Sequence, residues 1–242
     1  MAGTTRRRLL TGLMAAGGIV AMAPPLRALA SAPLPLPGGP LRLTRELVRE
    51  LGDGTAISVR RGWDVTFAQQ ARGIMIAGTQ VSASVDAPPS LADLARIEQQ
   101  RSTAAMFPIM LTNAGLILAS GTANAAPDDM AAALRAAEKM IAARPQSEGQ
   151  RDNLRRYLAE IHRAGAGQFE TLPPDLFVPA GTPLRRVEPV SLPGGMTGAF
   201  ELVWEARANP DTGWLVSGQR QIITRIAELE RRSREVWTLD PI

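Results

Sequence analysis

The sequence predicts an α+β fold: a curved antiparallel β-sheet, open or rolled into a half-open barrel, packed against two to three helices. Three observations support this fold class. Residues 41–85 alternate apolar and polar side chains with the period of two that is typical of strands. Residues 91–163 carry apolar stripes at helical spacing, and residues 198–239 return to the alternation. Strands, then helices, then strands again favour one α+β domain over two domains.

The first part of the domain is predicted to contain a series of short strands. Residues 41–48 fit either one helix face or a strand, and the hairpin signal Gly52-Asp53-Gly54 decides for a strand. Residues 55–67 continue the alternation. Two further strands are expected at 74–76 and 81–85, because glycines precede both runs.

Three helices are predicted in the middle of the chain. Ser90 is expected to cap the first helix, Pro127 occupies the first turn of the second, and Ser147 begins a capping box for the third. Apolar side chains recur in each at intervals of three and four residues, so each helix is expected to bury one face. The predicted helices span residues 91–105, 127–143 and 148–163, with a hairpin of two short strands at 109–118 after the first.

The last third of the chain is predicted to be an antiparallel meander. In residues 198–206 the period of two places Phe200 and Trp204 on one face and Glu201 and Glu205 on the other. We expect the first face to contact the helices and the second to face solvent. The next strands, 214–226 and 229–239, are expected to add Ile222 and Trp237 to the same core.

The N-terminus has the parts of a cleavable export signal: a basic start, a short apolar stretch and a small-x-small end. Residues 5–10, Thr-Arg-Arg-Arg-Leu-Leu, resemble the twin-arginine signal; a general secretory signal rich in arginine is the alternative. The apolar stretch is too short for a permanent membrane anchor. The expected organisation is an export signal at 1–30, a Pro-rich leader at 31–40 and one domain at 41–242. The signal residues are Arg6, Arg7, Leu9, Leu10, Ala28 and Ala30.

Composition excludes several classes of protein. The chain has 27 basic and 23 acidic residues, and the four arginines of residues 1–30 account for the whole excess. A nucleic-acid-binding domain needs a basic surface on the folded body, so nucleic acid is not an expected partner. With no cysteine and one histidine, neither disulfides nor metal centres are predicted, and we expect no cofactor.

Candidates for catalysis are few. His162 lies near the end of the third predicted helix, and no Gly-x-Ser-x-Gly elbow accompanies it. Glu201 and Glu205 would be about 13 Å apart by strand rise, which exceeds the carboxyl separation of glycosidases. No catalytic residue is therefore predicted. Arginine doublets predict either cross-strand ion pairs or a site for an anionic head group.

Methionines and aromatic residues could line an apolar cavity in a sheet that wraps its helices incompletely, although core packing is the simpler explanation. The architecture predicted is similar to that of lipid and lipoprotein carriers. The leading hypothesis is a periplasmic carrier of an apolar or amphiphilic ligand. The precursor of this carrier is expected to bind the export machinery. The alternatives are an envelope protein-interaction module that uses a sheet edge or the leader, and a carboxylate-dependent hydrolase. The candidate cavity residues are Met75, Met110, Met130, Phe200 and Trp204.

Overall fold

In the described part of the chain, nine antiparallel strands form one curved, open sheet with three helices, and this confirms the predicted fold class. The computed structural model describes residues 34–51, 55–71, 73–120, 127–144 and 149–242. The strands are β1 (Leu41–Glu50), β2 (Ala56–Gln70), β3 (Gly73–Asp86), β4 (Ile109–Leu111), β5 (Ile117–Ala119), β6 (Leu184–Ser191), β7 (Thr197–Ala208), β8 (Leu215–Ile226) and β9 (Leu229–Pro241). The helices are α1 (Ala92–Gln100), α2 (Pro127–Ala143) and α3 (Gln150–Ala166). No helix in the described part of the chain is both long enough and apolar enough to cross a membrane.

The strand order is β5-β4-β3-β2-β1-β9-β8-β7-β6, so the first and last strands are neighbours in the centre of the sheet. Their register pairs Leu43 with Leu239 and Leu47 with Glu235. Each half of the chain therefore builds one half of the sheet as a meander. We call the face that carries Leu43, Leu47 and Glu235 the inner face, because α3 and the buried clusters lie on it.

One prediction about strands is wrong, and one strand was missed. The alternating residues 55–67 correspond to the single strand β2, but the two strands expected at 74–76 and 81–85 are one long strand, β3, which Gly78 does not interrupt. The strand β6 was not expected, since Pro189 and two adjacent arginines argue against a central strand. Among the described residues β6 lies at the edge of the sheet and pairs only with β7, and an edge strand tolerates a proline.

The first helix also differs from its prediction. A short 3-10 turn at Pro89–Leu91 comes first, Ser90 makes no capping hydrogen bond, and α1 ends at Gln100. None of the residues of α1 is buried, and its apolar side chains Leu94 and Ile97 are exposed. The predicted apolar stripe is therefore not a core stripe.

The core consists of two clusters on the inner face. The first holds α2 and α3 against the sheet: Leu134, Ala137 and Ile141 of α2 are buried as predicted, together with Tyr157 and Ile161 of α3. The second lies under the segment 172–178 instead of under a helix. The second cluster's buried residues include Leu43, Trp63, Val65, Leu176, Phe177, Trp204, Trp214 and Trp237.

The meander follows the predicted alternation, with one correction. Phe200 and Ile222 lie in the first cluster and so belong to the layer under the helices. Trp204 and Trp237 are buried in the second cluster, so the expectation that they face the helices is wrong. The change occurs because the helices cover only one end of these long strands.

The described residues of the Pro-rich leader are packed against the domain. Leu34 and Leu36 are partly buried against the second cluster. The indole Nε1 of Trp214 donates a hydrogen bond of 2.7 Å to the carbonyl oxygen of Pro35. These leader residues are therefore occupied by contacts within the domain.

Gly165→Ala is expected to destabilise the domain by about 1–3 kcal/mol, because a Cβ at Gly165 would lie 1.7 Å from Cε2 of Phe200 and would force α3 away from β7. Gly167 is the matched control: its φ is −55° and no atom lies within 4 Å of an added Cβ. Gly167→Ala should be neutral or slightly stabilising. Urea unfolding of both variants measures the difference, and equal stabilities would contradict the close packing of α3 on β7.

Candidate functional site

The residues predicted to line an apolar cavity are dispersed in the structure. Met75 and Met110 are register partners on the outer face, because their neighbours Ile74 and Ile76 are buried on the inner face. Phe200 lies in the first cluster and Trp204 in the second. Of these residues the structure brings together only the methionine pair. The side chain of Met130 and the export-signal residues Arg6, Arg7, Leu9, Leu10, Ala28 and Ala30 lie outside the described residues.

A buried ion network crosses the inner face between the two clusters. Glu235 has no solvent exposure and accepts hydrogen bonds from Nε of Arg45 at 2.6 Å and Nε of Arg220 at 2.8 Å. Burial lowers the pKa of Arg220, and the charge of Glu235 opposes this. Arg220 also donates to the carbonyl oxygen of Thr171 at 2.8 Å. The network therefore joins the centre of the sheet to the segment that follows α3.

A second buried arginine holds α1. Arg61 of β2 is 4% exposed and donates from Nη2 to Oε1 of Glu98 at 2.9 Å. It also donates from Nη1 to the carbonyl oxygen of Arg101 at 3.0 Å. These bonds attach α1 to the sheet through polar groups, which explains how a helix without a buried apolar stripe remains in place.

His162 connects α3 to the sheet through two hydroxyl groups. Its Nδ1 lies 3.0 Å from Oγ1 of Thr224, and its Nε2 lies 2.8 Å from Oγ of Ser233. Burial, followed by the charges of Arg231 and Arg49, lowers the pKa of His162 to about 4. In the Ser-His-Asp triad a carboxylate orients the histidine. Here a threonine hydroxyl takes that position, so His162 and Ser233 do not form such a triad.

Because of His162, the free energy of unfolding should decrease as the pH is lowered from about 6.5 to about 4. The folded pKa of His162, about 4, is below its ordinary value of 6.5, so the unfolded chain binds the proton more tightly. The neutral His162 contributes about 3 kcal/mol to the free energy of unfolding above about pH 6.5. This contribution is lost as the pH is lowered towards 4. Denaturant unfolding between pH 7 and pH 4.5, where the carboxylates are mostly ionised, measures this slope. His162→Gln should flatten the slope, and a variant with the wild-type slope would contradict the assignment.

Glu201 has the predicted parity but not the predicted exposure. It lies on the outer face and is 6% exposed, because Nε of Arg185 and Nη1 of Arg225 bind its carboxylate at 2.7 and 2.9 Å. Hydrogen bonds from Arg185 and Arg225 lower the pKa of Glu201. A carboxylate with a lowered pKa is a poor general acid, so the arrangement does not favour the hydrolase hypothesis. Glu205 is exposed, as predicted.

A cleft of about 550 Å³ opens between β3 and the segment 100–108. Trp63 and Phe107 meet there edge to face, with ring centroids 6.5 Å apart. The indole Nε1 of Trp63 donates to Oγ1 of Thr103 at 2.9 Å. The polar lining residues are Thr79, Gln80, Gln100, Arg101, Ser102 and Thr103. The cleft therefore combines an aromatic wall with a polar rim.

One wall of the cleft is a strand edge. β4 pairs with β3 only along 74–76, so residues 77–86 pair with β2 on one side and have no strand partner on the other side among the described residues. This edge contains no proline and no charged residue before Asp86. Edge strands that are protected from pairing with another chain usually carry such residues. Gly78 is required here, since a Cβ would lie 2.4 Å from the ring of Phe107.

Sequence reasoning missed this site because the segment was read as two strands separated at Gly78. The sequence signal was present: residues 77–85 are strand-like and uncharged, and the strand that could cover them is only three residues long. No family model matches this chain, and a search of curated proteins finds no match either. Among the described residues, no group of three or more His, Cys, Asp or Glu side chains could hold a metal ion.

Proposed function

We propose that this chain is an exported, non-catalytic binding protein that receives an extended segment of another envelope protein at the β3 edge. The observation that carries the proposal is the combination of an uncovered strand edge, residues 77–86, with a cleft at one end of it. An extended peptide that adds to a sheet edge gains affinity from main-chain hydrogen bonds and specificity from pockets for alternate side chains. The cleft supplies such a pocket.

The lining of the cleft indicates which peptide it would accept. The half-buried ring of Phe107 offers an aromatic surface to one apolar side chain, and the buried Trp63 supports that ring from behind. Beside them, Oγ1 of Thr103 donates to Oε1 of Gln80, so the amide Nε2 of Gln80 is the group that can donate a hydrogen bond to the ligand. Since successive residues of a strand point to opposite sides, the expected ligand alternates apolar and polar residues.

Export places this activity outside the cytoplasm. The signal features of residues 1–30 support cleavage after Ala30 and a mature protein that begins at Ser31 in the periplasm. Changing both Arg6 and Arg7 to lysine should leave the precursor in the cytoplasm if the twin-arginine route is used. Cell fractionation with immunoblotting measures this, and unchanged export of the double variant would point to the general secretory route.

A peptide selection tests the proposed function. A displayed library of random eight-residue peptides is selected on the full chain, and enriched sequences should show alternating apolar positions. Val81→Lys, on the β3 edge, should abolish binding of the selected peptides, because a lysine on an edge strand blocks strand addition. Val187→Lys on β6 is the matched control, since Val187 is also an exposed valine of an edge strand, and it should leave binding unchanged.

Amide hydrogen exchange gives a second measurement in the same experiment. Bound peptide should protect amides within residues 77–86 from exchange. A library without enrichment, or peptides that bind both lysine variants equally, would overturn the proposal.

A carrier of an apolar or amphiphilic small molecule is the second candidate function. The mixed lining of the cleft, aromatic on one side and polar at the rim, favours it. Octyl glucoside below its micelle concentration is a suitable probe. This detergent should shift the Trp63 indole N–H signal in NMR spectra and leave the hydrogen exchange of the β3 edge amides unchanged. Unchanged exchange distinguishes binding of a small molecule in the cleft from addition of a peptide strand.

A further inference from the structure

Five arginines lie on the inner face of the central strands: Arg45, Arg49, Arg61, Arg220 and Arg231. Arg45 and Arg220 share the buried carboxylate of Glu235, and Arg61 is bound by Glu98. The guanidinium groups of Arg49 and Arg231 have no hydrogen bond and no ion pair in the described part of the chain. They leave a local excess of positive charge on an otherwise compensated face.

These two arginines lie close together. Arg49 of β1 is the register partner of Ser233 on β9, and Arg231 is two residues from Ser233 on the same side of the strand. Diagonal partners of this kind are about 7–8 Å apart across a sheet. Ser233 binds His162, whose pKa both arginines lower, so the pair surrounds one point beside α3.

The position between Arg49 and Arg231 is accessible between α1 and α3. α1 packs over β3 and α3 over β7, β8 and β9, while Arg49 lies on β1 between them and is exposed. Burial of the guanidinium group, and then the charge of Arg45, lowers the pKa of Arg49, and the charges of Glu170, Glu98 and Glu235 oppose this. None of these carboxylates forms an ion pair with Arg49. Ile57 and Val59 of β2 are the register partners of Arg49 and Leu47, and both are only half-buried. An apolar surface therefore adjoins the charged one.

We propose that Arg49 and Arg231 form a binding site for a phosphate-type oxyanion, with Ile57 and Val59 placed to contact an attached apolar chain. Guanidinium groups bind phosphate oxygens in pairs of parallel hydrogen bonds, and two of them neutralise a dianion. The aliphatic neighbours favour an anionic amphiphile over a free ion. The site lies about 20 Å along β2 from Trp63 and the cleft, so it is independent of the function proposed above.

The sole histidine provides a direct test. The full chain, labelled with 13C-histidine, gives one imidazole signal, because His162 is the only histidine. Dihexanoyl phosphatidic acid below its micelle concentration should shift this signal in a saturable way and should raise the midpoint of the His162 titration, because bound anion offsets the two arginines. Dihexanoyl phosphatidylcholine, which has the same chains and no net charge, should leave it unchanged.

Variants test the two arginines. Exchanging both Arg49 and Arg231 for glutamine should weaken phosphatidic acid binding by about a hundredfold, since each loses a charged hydrogen-bonding group. Arg231→Lys keeps the charge without the paired geometry and should weaken binding less. Arg234→Gln, on the outer face of the same strand, is the matched control and should bind as the wild type does.

The outcomes separate the possible sources of the oxyanion. A similar shift with inorganic phosphate would support an oxyanion site that does not need an attached acyl chain. A shift with phosphatidic acid alone would support a site for a lipid head group. No saturable shift with either, or an equal response to phosphatidylcholine, would overturn the proposal. Neither result depends on whether peptides bind the β3 edge.

Discussion

Glu235→Ala is expected to destabilise the domain by about 3–5 kcal/mol, because it leaves two arginines without their shared counter-ion in a buried site. Arg220 is almost as buried as Glu235, so its charge cannot turn to solvent. Its bond to Thr171 would remain, and the desolvation cost would no longer be offset by the carboxylate. Urea unfolding at pH 7 measures the loss.

Glu205→Ala is the control for Glu235→Ala, since Glu205 is exposed on β7, and it should stay within about 0.5 kcal/mol of the wild type. A triple variant with Arg45→Met, Glu235→Leu and Arg220→Met removes all the charges together. It should recover much of the stability, because an apolar replacement of a buried ion network is often neutral. A loss below about 1 kcal/mol for Glu235→Ala would contradict the buried network.

Trp204→Ala should cost about 3–5 kcal/mol, because it removes the largest side chain that β7 contributes to the second cluster. Trp204 is 5% exposed, and it packs so closely on Gly218 of β8 that a Cβ there would lie 2.4 Å from its ring. Its Nε1 donates to Oδ1 of Asp175 at 2.9 Å, which ties the segment 172–178 to the sheet.

Trp204→Phe keeps part of the packing. It retains an aromatic ring in the cluster and loses the bond to Asp175 together with part of the indole that packs on Gly218, so a smaller loss of about 1–2 kcal/mol is expected. Thermal unfolding followed by near-UV circular dichroism measures both variants. Equal losses for alanine and phenylalanine would contradict a main contribution from burial of the aromatic ring.

Local alternation was enough to predict most of the sheet. Phe200 and Ile222 face inward because neighbours on a strand must point to opposite sides, and this rule needs no knowledge of the partner strand. The exposure of Glu201 could not be predicted in this way, because Arg185 comes from β6, a strand that was not expected. Burial by a neighbouring side chain depends on pairing and not on periodicity.

The candidate sites depend on still longer-range facts. The β3 edge is open because β4 is three residues long, and the arginine pair forms because β1 meets β9. Neither pairing has a local signal in the sequence. α1 shows the same limit: its apolar stripe predicts a buried face, yet the helix is held by Arg61 and Glu98.

The central pairing of β1 with β9 restricts when this protein can fold. Arg45 and Glu235 are 190 positions apart in the chain, yet their contact joins the two meanders. A ribosome that has made β1 to β8 has not yet supplied the strand between β1 and β8, so both edges stay unpaired until β9 emerges. The nascent chain therefore depends on its surroundings to keep those edges from pairing with other chains. Loss of even the final strand would leave two half-sheets and no domain.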